Sequence, residues 1–247
     1  MPVLLSVMCV GIVLMLVERR RPARRWPRVA GWVWRALVFN ALQVALILLS
    51  GATLDRFAAR HGSGLASGLN TFAGASVGYL SSTFVYYWWH RWRHQVPLLW
   101  RWFHQLHHSP QRIEIITSFY KHPFELVANT LLTSFLLYVV LGLTPAAAAG
   151  SVLLSGLAEL FYHWNVRTPH WLGYIVQRPE SHCLHHQTGI HNYNFGDLAI
   201  WDILFGTFRN PRRWQATCGL GAANEGRLRE MLLGQDLTLP EPQETTR

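Results

Sequence analysis

The stretch PFELVANTLLTSFLLYVVLGLTPAAAAGSVLLSGLAELFYHW, residues 123–164, decides the fold class. It holds two apolar runs, Pro123 to Leu141 and Pro145 to Trp164, joined by the tight turn Gly142-Leu143-Thr144-Pro145. A helix that crosses a bilayer needs roughly 20 predominantly apolar residues. Working outward toward the N-terminus, three further runs come close to that length: Gly64 to Trp89, Val33 to Leu54 and the shorter Val3 to Leu16. One such run would suit a buried helix of a soluble protein, but five in a chain of 247 residues leave too little polar surface to cover them. The expected fold is an all-α membrane protein with about four to five transmembrane helices.

Composition agrees: half of the residues are hydrophobic, 14% are charged and twelve are tryptophan. The net charge of +9 raises the question of nucleic acid. Most of the excess, however, sits in one short segment between two apolar runs, Arg19, Arg20, Arg21, Arg24, Arg25 and Arg28. That placement reads as a topology signal, and no nucleic-acid partner is expected. The same charges follow the first apolar run, whereas a secretory signal peptide carries them before it, so the run is expected to be a retained helix. Cys9, Cys183 and Cys218 have neither disulfide nor zinc-finger spacing and leave the redox compartment undecided.

Placing the arginine segment in the cytoplasm puts the N-terminus on the opposite side. Counting spans then puts 90–122 and 165–247 on the cytoplasmic side, where they would form a helical cap. The expected division is 1–63, N-terminal helices and basic loop; 64–235, the main helical unit; and 236–247, a tail disordered from about Leu239.

Both cytoplasmic regions are rich in histidine. Eight of the thirteen histidines fall in three clusters: His90-Arg-Trp-Arg-His94, His104-Gln-Leu-His107-His108 and His182-Cys-Leu-His185-His186. Residues three and four apart share a helix face, so each cluster presents its imidazoles in one direction. An isolated histidine at a membrane interface is ordinarily satisfied by water or headgroups. Eight crowded imidazoles would instead repel when protonated and gain little when neutral, and a metal resolves the crowding. Imidazole suits iron, zinc, copper or nickel. Eight ligands exceed the four to six positions of one ion, so two metals are implied. His163 and His122 are further candidates, while His61, His170 and His191 are expected to lie outside the site.

These boxes and their surroundings resemble the fatty acid hydroxylase and sterol desaturase superfamily of integral membrane non-haem diiron enzymes. The resemblance rests on Tyr87-Trp-Trp-His90-Arg91, Pro97-Leu-Leu-Trp100, His104-Gln-Leu-His-His-Ser109, Thr117-Ser-Phe119, His122-Pro-Phe-Glu125, His163-Trp-Asn165, the third box, Asn194-Phe-Gly196 and Trp201-Asp202-Ile-Leu-Phe-Gly-Thr207, about residues 75 to 210. Two departures are visible: Thr83 stands where relatives often carry an acidic residue, and His191-Asn192-Tyr193 is inserted before Asn194.

The resemblance implies two iron ions, with zinc expected to substitute in purified or crystallised material, and a centre that uses dioxygen to hydroxylate a lipid C–H bond. Desaturation of a sterol or fatty acyl chain by the same centre is the alternative outcome. No haem, flavin or nicotinamide motif is present, so a separate ferredoxin- or cytochrome-like donor protein is expected. Trp88, Trp89, Trp92, Trp100 and Trp102 suit an interfacial lipid guest and equally an ordinary aromatic belt. Ligating histidines normally donate their second ring nitrogen to a carboxylate or carbonyl, which nominates Glu159, Glu180, Asp197 and Asp202.

Three rival classes fit less well. A membrane cytochrome would carry its histidine pairs within the spans, a zinc hydrolase would need a general base such as the Glu of HExxH, and a metal transporter would place polar ligands inside the spans, where mainly Asn40, Gln43 and Asn129 are available.

Overall fold

The computed structural model describes residues 2–215 and 217–238. The chain is all-helical, and among the described residues its only β-type pairing is an isolated bridge between Val176 and Leu198. The tail expected to be disordered from about Leu239 lies outside the described residues.

Four long segments and a helical pair build the apolar part: α1 (Pro2–Arg20), α2 (Trp32–Ala52) continued by α3 (Leu54–Ala59), α4 (Thr71–Gln95), α6 (Pro123–Ser134) running into a π-helical stretch (Phe135–Val140), and α7 (Pro145–Tyr162). Three of these are long and apolar enough to cross a membrane: Trp32–Ala59, Pro123–Val140 and Pro145–Tyr162. The other two expected runs also form helices, each with charged or polar residues in its last turns. α1 ends on Glu18, Arg19 and Arg20, and the last turns of α4 hold His90, Arg91, Arg93 and His94. Large apolar side chains such as Trp34, Leu131 and Phe135 stand exposed on the apolar helices, the surface expected where side chains meet lipid.

Local sequence sets the helix starts. Asn70 accepts a hydrogen bond from the Ala73 amide at 2.9 Å to open α4. Thr144 caps α7, with Pro145 in the first turn where a missing N–H costs nothing. α4 packs along α7 through small residues, as helices in lipid commonly do. A Cβ at Gly78 would stand 2.2 Å from Ser151 Oγ, and one at Gly150 would stand 2.7 Å from Ala75 Cβ. This contact carries the end of α4, with the first histidine box, to the end of α7, with His163.

Shorter elements close over that end: α5 (Pro97–Leu99), a π turn (Trp100–His104), a 3₁₀ turn (Ile115–Thr117), a second 3₁₀ turn (His170–Tyr174), α8 (Pro179–His185), α9 (Ala199–Leu204) and α10 (Leu228–Leu232). The basic segment after α1 lies at the same end. Arg24 N–H donates to Asn165 Oδ1 at 3.0 Å, and Trp26 Nε1 donates to the Ile113 carbonyl at 3.0 Å. The buried Glu18 carboxylate accepts from the backbone of Ile115 at 3.2 Å and Asn165 at 3.1 Å, tying α1 to both loops.

Candidate metal centre

Nine of the ten candidate ligands gather into two adjoining groups. His90, His94, His104, His108 and His185 form one, and His107, His163, His182 and His186 the other; within each group the potential ligand atoms lie within 4.8 Å of one another. The first box falls wholly in the first group, while the second and third are each split between the two. His90 and His94 come from the last turns of α4, and His182 and His185 from α8 with His186 at its C-cap. The second box does not lie on a regular helix: the π turn closes with Gln105 N–H donating to the Trp100 carbonyl at 2.8 Å, and it delivers His104, with His107 and His108 following in turns. Widened turns of this kind recur at functional sites.

The hydrogen bonds orient the rings. A carbonyl can only accept, so the Nδ1 atoms of His90, His107, His163 and His185 donate, to Phe195 O at 2.8 Å, Tyr120 O at 3.2 Å, Glu159 O at 2.9 Å and Tyr193 O at 2.8 Å. Each neutral ring therefore keeps its lone pair on Nε2. His104 Nδ1 bonds the Glu125 carboxylate at 3.2 Å, and Glu125 is also ion-paired with Arg93.

What remains is a set of buried nitrogens without partners: Nε2 of His90, His104 and His185, Nδ1 of His182, and both nitrogens of His94, His108 and His186. Unpaired buried polar atoms are costly, and this many in one place fits a donor set for metal. The 3.1 Å separation of His163 Nε2 and His182 Nε2 is close to that of two neighbouring nitrogens each bound at about 2.1 Å to one ion. Burial first, and crowding by neighbouring rings second, hold His108, His182 and His186 well below the usual imidazole pKa, and burial pushes His185 down to about 3. The rings are thus neutral and able to ligate at neutral pH.

His122, the tenth candidate, stands apart from both groups. Its Nδ1 accepts from the Phe124 amide at 3.1 Å as the cap of α6, and its Nε2 reaches Leu232 O at 3.4 Å, so both nitrogens are engaged. The nominated carboxylates also fall differently. Glu159 pairs its side chain with Lys121 and offers its carbonyl to His163. Glu180 pairs with Arg178 at 2.9 Å and accepts from Thr168. The Asp197 carboxylate meets Tyr162. Asp202 accepts from the amides of Phe195 at 2.8 Å and Gly196 at 2.9 Å, bracing the segment whose carbonyl holds His90. Glu125, not among the four, is the carboxylate that meets an imidazole. Its only sequence signal is its place in His122-Pro-Phe-Glu125. Thr83 accepts from Trp201 Nε1 at 2.9 Å and donates to Leu80 O at 2.8 Å.

Comparison with known proteins follows the same residues. The sequence profile of the fatty acid hydroxylase family matches residues 75–207. The chain is 35% identical over 147 residues to ornithine lipid hydroxylase OlsE of Rhizobium tropici, covering 57% of this chain and 43% of that protein. It is 31% identical over 137 residues to alkylglycerol monooxygenase of Homo sapiens, covering 53% and 29%, and 34% identical over 142 residues to fatty acid hydroxylase vlmA of a Lecanicillium species, covering 50% and 38%. The chain thus spans less than half the length of each of these relatives. No solved structure matches.

Proposed function

Because the chain belongs to the fatty acid hydroxylase family, we propose that it is a membrane-bound oxidoreductase that holds two iron ions and uses dioxygen to hydroxylate a C–H bond of a membrane lipid. The observation that carries this reading is the pair of adjoining imidazole groups with unpartnered, buried nitrogens. His90, His94, His104, His108 and His185 would hold one ion, and His107, His163, His182 and His186 the other. When bound, the iron pair supplies dioxygen activation and removal of hydrogen from an unactivated C–H bond, which no side chain can perform.

The chain's own part is geometric and electrostatic. Carbonyls of Phe195, Tyr120, Glu159 and Tyr193 fix the tautomers of four rings, and Glu125 with Arg93 fixes His104. Burial of His104, His107, His108, His163, His182, His185 and His186 keeps bulk water from the site. The exposed apolar helices favour a substrate that arrives through the bilayer, and the printed activities of the relatives, on ornithine lipid, alkylglycerol and fatty acid, share that chemistry. Electrons are proposed to come from a separate ferredoxin- or cytochrome-like protein. The catalytic unit is taken as 64–235. The basic segment after α1 touches the loops at the histidine end, which favours a cytoplasmic site with the N-terminus opposite.

The test is a lipid extract from cells with and without the gene, grown under isotopically labelled dioxygen. The proposal expects a lipid carrying one labelled oxygen atom only when the gene is present. A lipid that lost two hydrogens and gained no oxygen would make the enzyme a desaturase, and no change in any lipid would remove the lipid-oxygenase reading.

A further inference from the structure

One imidazole outside the two groups has no evident task. His191 lies in the inserted segment between the third box and Asn194-Phe-Gly196. Its ring is 5.5 Å from that of His94, 5.8 Å from that of His108, and edge-on to Trp100 at 4.8 Å. Inside the five-histidine group, neighbouring rings stand between 4.5 Å, for His90 and His185, and 5.2 Å, for His90 and His94. His191 is therefore only slightly farther out than the members themselves. Its Nδ1 is buried without a hydrogen-bond partner, although the ring as a whole is half-buried.

The segment that carries it is anchored to the site at one end and exposed at the other, where the Thr188 hydroxyl donates to the Gly219 carbonyl at 3.0 Å and the Ile190 amide to the Gln187 carbonyl at 2.9 Å. Tyr193 and Phe195, just beyond His191, give their carbonyls to His185 and His90. On the near side, Thr188 and Gly189 are exposed, and Gly189 has φ of 77°, a left-handed conformation that favours glycine. A short pivot about Gly189 would carry the His191 ring toward His94 and His108 without breaking the two carbonyl contacts. A buried, unpartnered nitrogen gains most from such a move, because a ligand bond would replace the hydrogen bond it lacks.

We infer that His191 is an exchangeable ligand of the first group, a sixth imidazole that closes onto the ion held by His90, His94, His104, His108 and His185 and leaves a position open when it withdraws. The inference rests on the two-ion reading. With His191 bound, the first ion has no room for a small molecule; with His191 withdrawn, it does.

Cobalt(II) is the probe, since its visible ligand-field bands report the number and kind of ligands without any turnover. The full chain in detergent is loaded with cobalt, and metal per chain and the visible spectrum are recorded for the wild type, His191→Ala and His191→Gln. The inference expects about two cobalt ions in all three, a spectrum altered in both variants, and return of the wild-type bands when free imidazole is added to His191→Ala. Superimposable spectra at full cobalt loading, with no response to imidazole, would overturn the inference and leave the two-ion reading standing. Failure of the wild type to bind cobalt would overturn both. Loss of metal from His191→Ala but not from His191→Gln would also overturn it, because it would make the residue a packing element.

Discussion

His108 and His186 stack face to face, with ring centroids 4.0 Å apart and planes 9° apart, although they belong to different groups of the site. Both rings are buried, and all four of their nitrogens lack hydrogen-bond partners. The stack is thus the seam along which the two groups adjoin. Stacking alone would be served by any flat ring, but the free nitrogens call for ligands. Replacing His186 by Phe separates the two roles. The variant should keep its fold, with a melting temperature close to that of the wild type, while its iron content falls from about two per chain toward one. Retention of both irons would show that His186 serves packing only.

Glu125 offers a sharper test of the surroundings. Its carboxylate, fully buried, takes His104 Nδ1 at 3.2 Å and the Arg93 guanidinium. Glu125→Gln keeps the shape but removes the charge, leaving Arg93 buried without its counter-ion. Partners of this kind are typically worth about 10- to 100-fold in metal affinity, so competition with a chelator should strip metal from the variant at correspondingly lower chelator concentration. An unchanged chelator profile would contradict the role given to Glu125.

His122→Ala should behave in the opposite way. Loss of the α6 cap should cost about 1 kcal/mol of stability, read as a lower melting temperature, with metal content unaltered. Loss of metal would return His122 to the ligand set.

Gly78→Val tests the helix contact that brings the boxes together. A side chain there would meet Ser151 Oγ and Leu143 within 2.8 Å, forcing α4 from α7. Overpacking typically costs about 1–3 kcal/mol, and metal affinity should fall with stability although no ligand has changed. Unaltered stability and affinity would show that the α4 and α7 contact adapts.

Much of this site could be read in the sequence, for a physical reason. Spacings of four, as in His90/His94, His104/His108 and His182/His186, put two imidazoles on one helix face, and each of these pairs falls within one group. His107 and His108 show the limit of that argument. They are adjacent in sequence yet go to different groups, as do His185 and His186, because successive side chains on a helical turn point in different directions. The tertiary partners were less legible. Glu125 reaches His104 only because α6 packs beside the π turn, and His191 comes to lie beside His94 and Trp100 only through the course of its loop. Cys183 and Cys218, with no disulfide spacing, come to lie 3.3 Å apart as free thiols. The helical fold class followed from apolar run length, but length alone did not separate the three strongly apolar helices from α1 and α4, whose ends are charged.

The most direct measurement is metal content by mass spectrometry on detergent-purified, iron-supplemented protein, with an iron-specific spectroscopy on the same sample and His107→Ala and His185→Ala beside it. The account expects about two irons per wild-type chain, with metal binding and activity lost together in both variants. One tightly held zinc, a haem spectrum, or two irons retained with activity in either variant would contradict it.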